Sequence, residues 1–331
     1  MASSRLAGVS RGALPDVAPG PSIRTLANPQ RRAVQAGWSV LWTGVSGLAT
    51  LWIVLIVAVI LGTVVLGGWR TMTWEFLSAN PENGMTEGGI FPAIFGTVFL
   101  VFLMILAVLP IGVLAAVYLH EYARATSRVT QAVRFAVNNL AGVPSIVFGL
   151  FGLGFFIQFV GRGIDGALGQ GVWFGQPAIL WAALTLALLN LPVVIVATEE
   201  ALRAVPRAAR EGALALGATR WQTVWHVVLP QALPGVLTGA ILSVSRGAGE
   251  VAPILFTGAA YYLPYLPTSP TDQFMELGYH VYVLATQSPN IDQTLPLLYA
   301  TVLVLILLTF TLNFTAIVLR ARLRRGLGLR D

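Results

Sequence analysis

The chain has 331 residues, of which only 10% are charged and 56% are hydrophobic. Soluble proteins carry about 25% charged residues, so this composition excludes a water-soluble enzyme and favours several membrane spans. All 20 basic residues are arginine, and cysteine is absent. Lysine Schiff bases, disulfide bonds and zinc–thiolate sites are therefore excluded, and three histidines far apart in the sequence form no metal-binding pattern.

Five stretches without a charged residue are each longer than the roughly 20 residues that a helix needs to cross a bilayer. They are residues 33–69, 88–120, 135–161, 166–198 and 293–319. A sixth apolar segment, residues 234–257, contains Arg246 and Glu250 near its middle and is also interpreted as a span. The sequence therefore predicts an all-α integral membrane protein with six transmembrane helices.

Arginine is distributed unevenly between the two sides of such a protein. Seventeen of the 20 arginines lie in the termini and in the two loops that share a side with the termini. The other loops hold only Arg70 and Arg162, together with seven acidic residues. Because cytoplasmic loops carry the excess of arginine, both termini are predicted to be cytoplasmic. The formal charge of +6 thus indicates membrane orientation rather than a nucleic-acid-binding surface.

The predicted organisation has three parts. Residues 1–37 are rich in Pro, Gly, Ser and Ala and have no apolar period, which predicts a disordered cytoplasmic tail. Residues 38–319 form the six-span transmembrane domain, and residues 320–331 form a basic cytoplasmic tail. The first apolar run is far longer than the core of a signal peptide, so it is interpreted as an uncleaved anchor helix.

The longest predicted cytoplasmic loop lies between the fourth and fifth spans. Two short helices are predicted in it: Glu199 to Val205 and, after a break at Pro206, a run that opens at Arg207 and continues past Gly217. Within this loop Glu-Gly-Ala at 211–213 is followed by three residues, Gly217, nine residues and Val-Val-Leu-Pro at 227–230.

This spacing resembles the EAA loop of ABC importer permeases, whose pattern is Glu-Ala-Ala, three residues, Gly, nine residues and Ile-x-Leu-Pro. Gly212 and Val227 depart from the pattern but keep its spacing. The resemblance implies a type I ABC importer permease fold and a coupling loop at residues 199–230 that docks on a cytoplasmic ATPase. The coupling residues it assigns are Glu211, Gly212, Ala213, Gly217, Leu229 and Pro230. The alternative is an ordinary solvated amphipathic loop.

Further stretches narrow the resemblance to the A-type permease of phosphate-specific importers. They include GGIFPAIFGT (88–97), YLHEYA (118–123), NNLAGVPSIVFGLFG (138–152), SRGAGEVAPILFTGA (245–259) and DQFMELGYHVYVLATQSP (272–289). Such a subunit lies in the bacterial cytoplasmic membrane with a second related permease, two ATPase copies and an extracytoplasmic phosphate-binding protein. It is expected to bind lipid but no nucleic acid, and to bind no cofactor itself, because ATP and Mg²⁺ belong to the ATPase.

Arg246 and Glu250 are four residues apart, which predicts one shared face near the middle of the fifth span. Ionisable residues at that depth usually face a pathway or a partner. Arg246 would offer a phosphate ion a fixed charge and forked donors, and Glu250 would orient the arginine. A structural ion pair is the alternative. Small residues at 235, 239, 243 and 247 recur along the same span and predict close helix packing.

Other functions remain open at this point. Permeases for sulfate or molybdate share the coupling loop, and competition by those anions would distinguish them. A proton-coupled secondary transporter would use Arg246 and Glu250 as a relay, and it would leave the coupling motif unexplained. A membrane enzyme is disfavoured because the sequence offers no evident set of nucleophile, base and oxyanion donor.

Overall fold

The structure is a computed structural model that describes residues 29–83, 87–169, 171–288 and 291–326. Residues 1–28 of the predicted N-terminal tail and residues 327–331 of the predicted C-terminal tail lie outside the described residues. The chain divides into two units, residues 1–61 and residues 62–331. The described part of the first unit is helical, and the second unit holds the elements that carry the predicted site.

Twelve α-helices are present among the described residues. They are α1 (Pro29–Gly68), α2 (Trp74–Ser78), α3 (Phe91–Val117), α4 (Arg128–Leu140), α5 (Ser145–Phe151), α6 (Arg162–Leu168), α7 (Ile179–Ala204), α8 (Arg207–Ala215), α9 (Arg220–Thr223), α10 (Leu229–Gly247), α11 (Leu277–Thr286) and α12 (Ile291–Gly326). π-Helical turns extend α3 through Tyr118–Tyr122, join α5 to α6 and join α9 to α10. Two short antiparallel strands, β1 (Pro81–Glu82) and β2 (Glu87–Gly88), lie between α2 and α3.

Six segments of the described chain are long and apolar enough to cross a membrane, so the predicted number of spans is confirmed. They are Trp38–Thr71, Phe91–Tyr122, Ser145–Leu168, Ile179–Ala204, Arg220–Gly247 and Ile291–Arg325. The predicted third stretch, residues 135–161, is wrong at its start because residues 135–140 belong to the separate amphipathic helix α4. Gly142 and Pro144 separate α4 from the span, since proline cannot continue a hydrogen-bonded helix.

The fifth span differs most from its predicted bounds of 234–257. It begins at Arg220, and its helix α10 ends at Gly247. Residues 248–276 then run without a regular helix to α11. Gly247, Gly249 and Pro253 follow one another closely here, and such residues disfavour helix continuation. Arg246 and Glu250 therefore lie at the end of this span, and the prediction that both sit near its middle is wrong.

The core of the second unit is formed by α3, α7 and α10. Leu100, Met104 and Val108 of α3 are buried together with Leu186 and Val194 of α7. The small residues of α10 allow close approach, as their spacing predicted. A Cβ atom added at Gly239 would lie 2.8 Å from Ala197 Cβ, and one at Gly247 would lie 2.6 Å from Met104 Sδ. Larger side chains at these positions would push the helices apart.

The helices α3, α7 and α10 form a bundle, and the irregular segment 248–276 lies at the end of this bundle opposite to α8. It supplies acceptors for the first backbone N–H groups of α7, which have no partner within their own helix. Ala178 N donates to Thr257 O at 2.9 Å, Ile179 N to Asp272 O at 2.9 Å and Leu180 N to Pro270 O at 3.1 Å. The segment is thereby fixed to the start of the fourth span.

The orientation of the spans stays a prediction, and the absence of native cysteine allows a direct test. Ala208 on α8 and Gln287 after α11 are exposed and lie on opposite sides of the fifth span. We expect a membrane-impermeant maleimide to label Gln287→Cys in intact spheroplasts and Ala208→Cys only after permeabilisation. The reverse labelling pattern would place both termini outside the cytoplasm.

Candidate functional site

Pro206 separates the fourth span from the short helix α8. The span α7 runs without interruption to Ala204, so the predicted separate helix from Glu199 to Val205 is wrong. Val205 is extended, as residues before proline prefer to be, and α8 begins directly after Pro206. Proline can open a helix because the first helical N–H groups need no intrahelical acceptor.

Gly217 ends the segment that contains α8. Its φ of +86° lies in the left-handed region, which glycine adopts without steric cost. α8 stops at Ala215, so the predicted continuation of the helix past Gly217 is wrong. Thr219 and Gln222 then open α9 with a capping box, in which the backbone N–H of each residue donates to the side chain of the other. Pro206 and Gly217 thus interrupt the helical backbone on either side of α8.

α8 has a largely exposed surface that contacts few other residues of the described chain. The helix contains no buried residue, and Glu211 and Gly212 are exposed while Ala213 is half-buried. A Cβ atom added at Gly212 would meet no atom within 4 Å. Two leucines add apolar area, because Leu214 is 44% exposed and Leu216 is 91% exposed. The sequence motif missed these leucines, although apolar residues within a charged loop were a visible signal.

Leu229 and Pro230, the last residues of the motif, lie in a different element from Glu211, Gly212 and Ala213. Both begin α10 and are half-buried. Leu229 packs against the buried cluster that includes Val117, Leu202 and Val228. The structure therefore does not bring these two residues onto the exposed surface of α8, and Leu229 instead packs where α10 begins.

Arg246 and Glu250 form an ion pair at the end of α10. Arg246 Nε donates to Glu250 Oε1 at 3.1 Å, and the two side chains are 39% and 19% exposed. Glu250 follows the helix rather than lying on it, because α10 has ended at Gly247. The arrangement brings together the two residues singled out from the sequence. It also leaves part of the Arg246 side chain exposed.

Glu276 is buried at the end of the bundle opposite to α8. Its carboxylate accepts hydrogen bonds from Gly278 N at 2.8 Å and Tyr279 N at 2.7 Å, which cap the start of α11. Thr97 of α3 accepts from Leu277 N at 2.9 Å. Burial raises the pKa of Glu276 to about 7, although these backbone donors act in the opposite direction. The sequence identified this residue only as one of the acids in the loops.

A cavity of about 670 Å³ also lies at this end, between the loop before α7 and residues 265–273. Asp272 at its wall accepts hydrogen bonds from the backbone N–H groups of Thr268 and Ser269, both at 2.8 Å. These bonds lower the pKa of Asp272. Among the described residues, no three His, Asp or Glu side chains converge to hold a metal ion.

Six apolar spans with a largely exposed helix between the fourth and fifth define a multi-pass membrane protein. The family model described as "Binding-protein-dependent transport system inner membrane component" matches residues 108–328. The chain therefore belongs to this family of ABC importer permeases. It is a multi-pass inner-membrane protein, as the sequence resemblance predicted.

Individual relatives agree with the family. The probable ABC transporter permease protein YqgI of Bacillus subtilis (strain 168) is 33% identical over 256 residues, which cover 74% of this chain and 82% of the relative. The phosphate transport system permease protein PstA 1 of Mycobacterium tuberculosis (strain CDC 1551 / Oshkosh) is 38% identical over 200 residues. That match covers 59% of this chain and 61% of the relative.

The fold agrees with a solved transporter. A chain from the crystal structure of a bacterial alginate ABC transporter, in complex with an alginate pentasaccharide-bound periplasmic protein, superposes with a TM-score of 0.62. The superposition covers 86% of this chain and 94% of that chain at 16% sequence identity. The chain thus has the type I ABC importer permease fold that the resemblance implied.

The buried Glu276 predicts a pH dependence of stability. Because its folded-state pKa lies above the ordinary value of 4.5, its contribution to stability is fully present below that value and is lost as the pH rises through about 7. We expect the thermal midpoint of the purified chain in detergent to fall by a few degrees between about pH 5 and about pH 8.

Glu276→Gln should reduce this fall, because an amide cannot ionise. Glu82→Gln, which replaces an exposed carboxylate in β1, serves as the matched control and should keep the native dependence. Comparison of the native chain with Glu276→Gln removes the contribution of the other titrating groups, which both chains share. Equal falls in the native chain and in Glu276→Gln would contradict the assignment.

Proposed function

We propose that this chain is the A-type permease subunit of an ATP-driven phosphate importer. The observation that carries the proposal is α8, a largely exposed helix between Pro206 and Gly217 that holds the motif residues Glu211, Gly212 and Ala213. The family assignment supports transport by an ABC importer, and the name of the mycobacterial relative supports phosphate as the substrate. Hydrolysis of ATP belongs to a separate subunit in this proposal.

α8 is the coupling helix in this proposal. With both termini in the cytoplasm, α8 faces the cytoplasmic ATPase and docks on it through Glu211, Gly212 and Ala213. Gly212 favours close approach because it projects no side chain, and the exposed leucines add apolar contact. Gly217 permits the turn after the helix, while Leu229 and Pro230 position the start of α10.

The complete importer contains this chain, a second related permease and two ATPase copies, which bind ATP and Mg²⁺. An extracytoplasmic phosphate-binding protein delivers the anion to the opposite end of the bundle. That end carries the cavity lined by Gln176, Tyr265, Thr268 and Asp272, among others. This chain itself binds no cofactor in the proposal.

Arg246 is the phosphate-facing residue in this proposal, and Glu250 holds its orientation. A guanidinium offers fixed positive charge and paired donors that match the geometry of a phosphate. The Glu250 carboxylate partly neutralises the Arg246 charge, so the anion is bound less tightly and can be released. The partial exposure of Arg246 leaves room for a second acceptor.

Uptake of radiolabelled phosphate at low concentration tests the substrate and the role of Arg246. We expect cells that lack the chain to recover uptake with the native form. With Arg246→Gln the uptake should be lower by a factor of about ten or more. Excess sulfate or molybdate should not compete. Arg162→Gln, at an exposed arginine of α6 near the same end, is the matched control.

Other results would point elsewhere. Competition by sulfate or molybdate would assign another oxyanion, and full uptake with Arg246→Gln would make the ion pair structural. Uptake that survives ATP depletion but stops when the proton gradient is removed would indicate secondary transport.

The docking surface is tested by placing bulk on α8. Gly212→Trp adds a large side chain where no atom of the chain lies within 4 Å, so the variant should fold. We expect about tenfold less ATPase to co-purify with it, because the tryptophan holds the docking partner away. Gly166→Trp, at an equally open helical glycine of α6, should retain native recovery. Equal recovery from both variants would exclude this face of α8 from docking.

A further inference from the structure

Arg210 of α8 points toward the bundle rather than toward the exterior. Its side chain is 18% exposed, whereas α8 as a whole has no buried residue. The guanidinium Nε and Nη2 donate to Glu121 Oε1 at 3.3 and 2.9 Å. Nη1 donates to Val205 O and Nη2 to Leu202 O, each at 2.6 Å. One side chain thus makes four hydrogen bonds to groups outside its own helix.

The acceptors of Arg210 belong to two membrane spans. Glu121 lies in the π-helical turn that ends the second span, and its side chain is 13% exposed. Leu202 and Val205 lie at the end of α7, where the last carbonyl groups of a helix lack intrahelical donors. A guanidinium can satisfy a carboxylate and two carbonyl groups at once because its donors form a planar fork. The side chain therefore joins α8 to α3 and to α7.

The two spans joined in this way already pack as one body. Leu100, Met104 and Val108 of α3 share a buried cluster with Leu186 and Val194 of α7. A Cβ atom added at Gly112 of α3 would lie 2.6 Å from Val194 Cγ1, so the two helices approach closely at that level. A force applied at the ends of α3 and α7 would act on both spans together.

A second arginine fastens α4 to the same two spans. Arg134 lies 3.1 Å from Glu199 of α7, measured from Nη2 to Oε1, and its Nη2 donates to Leu119 O at 3.0 Å. Two short helices at this end of the bundle are thus each held by an arginine that contacts a carboxylate and at least one carbonyl oxygen. Arg210 differs because its helix carries the docking surface.

α8 is flanked by Pro206 and Gly217, and it buries no apolar side chain of its own. Its other main contacts are with α9 and the turn Val224–Val228, so Arg210 is its link to α3 and α7. Without Arg210 the helix could pivot at Pro206 and Gly217 when a partner pushes it. We propose that Arg210 is a positioning residue that transmits displacement of α8 to the paired spans α3 and α7. This inference rests on the proposed function, because the displacement comes from the ATPase docked on α8.

Spin labels on a cysteine-free chain test the inference without any assumption about phosphate. Ala208→Cys places one label on α8, and Tyr118→Cys places the other on an exposed residue at the end of the second span. The distance between the labels is measured in the complete importer, without nucleotide and with bound ATP. We expect one narrow distribution in both states for the native background, because α8 and α3 move together.

Arg210→Gln should shift or broaden the distribution when ATP binds, since α8 then pivots on its own. Glu121→Gln should do the same while it leaves the sequence of α8 intact. Arg203→Gln, at an exposed arginine close to the end of α7, is the matched control and should keep the native distribution. A native distribution that itself shifts with ATP, or an Arg210→Gln distribution that stays narrow, would overturn the proposal.

Transport provides the functional readout for the same variants in proteoliposomes. We expect Arg210→Gln and Glu121→Gln to move about tenfold fewer phosphate ions per ATP hydrolysed, with little further loss in the double variant. Arg210→Lys should fall between, because an ammonium retains charge but not the forked donors. A native ratio in all of these variants would overturn the positioning role. So would loss of ATPase binding in Arg210→Gln, because the arginine would then act in docking itself.

The native complex reports separately on the proposed function. If it imports another anion, the substrate assignment fails while the distance measurement remains valid. If the native chain binds no ATPase, both the coupling proposal and the role of Arg210 fall. A difference between native and Arg210→Gln complexes, or its absence, concerns the positioning role alone.

Discussion

The hydrocarbon interior of a membrane offers no hydrogen-bond partners, so a span must satisfy its polar groups within the protein. Thr97 and Thr185 do so by donating to carbonyl oxygens of their own helices, those of Ala93 and Trp181. Charged side chains meet the same requirement by pairing at span ends. Arg210 pairs with Glu121, Arg134 with Glu199 and Arg246 with Glu250. The apolar middle of the bundle is then left to close packing of helices.

Because the charged side chains lie at the span ends, the candidate functional residues lie at the two ends of the bundle. At one end, α8 is held on the spans by Arg210 but keeps Glu211 and Gly212 exposed, which suits a helix that receives a partner. At the other end, the segment 248–276 supplies carbonyl acceptors for the N–H groups at the start of α7 and contains the buried Glu276. Arg246 in the last turn of α10 and Glu250 in that segment pair where the fifth span stops being helical. Small residues on α10 keep the connecting helices in close contact.

Much of this organisation was predictable from the sequence. Long uncharged stretches predicted six spans, and the spacing from Glu211 to Pro230 indicated the family before any contact was known. Prediction failed where the end of a helix depends on local backbone geometry. α8 ends at Ala215 because Gly217 adopts a left-handed φ, and α10 ends at Gly247. Hydropathy alone did not reveal either end, because apolar residues continue beyond both.

The sequence by itself determined that the chain is a membrane protein, how many spans it has and which class of transporter it belongs to. Each of these follows from composition and local spacing, which need no knowledge of contacts. Only the tertiary structure decided which charges meet, because Arg210 and Glu121 are 89 residues apart in the chain. It also decided that Glu276 is buried beside Thr97 and that Leu229 packs rather than docks. Such roles depend on which helices lie next to each other, and that arrangement is a property of the whole packed bundle.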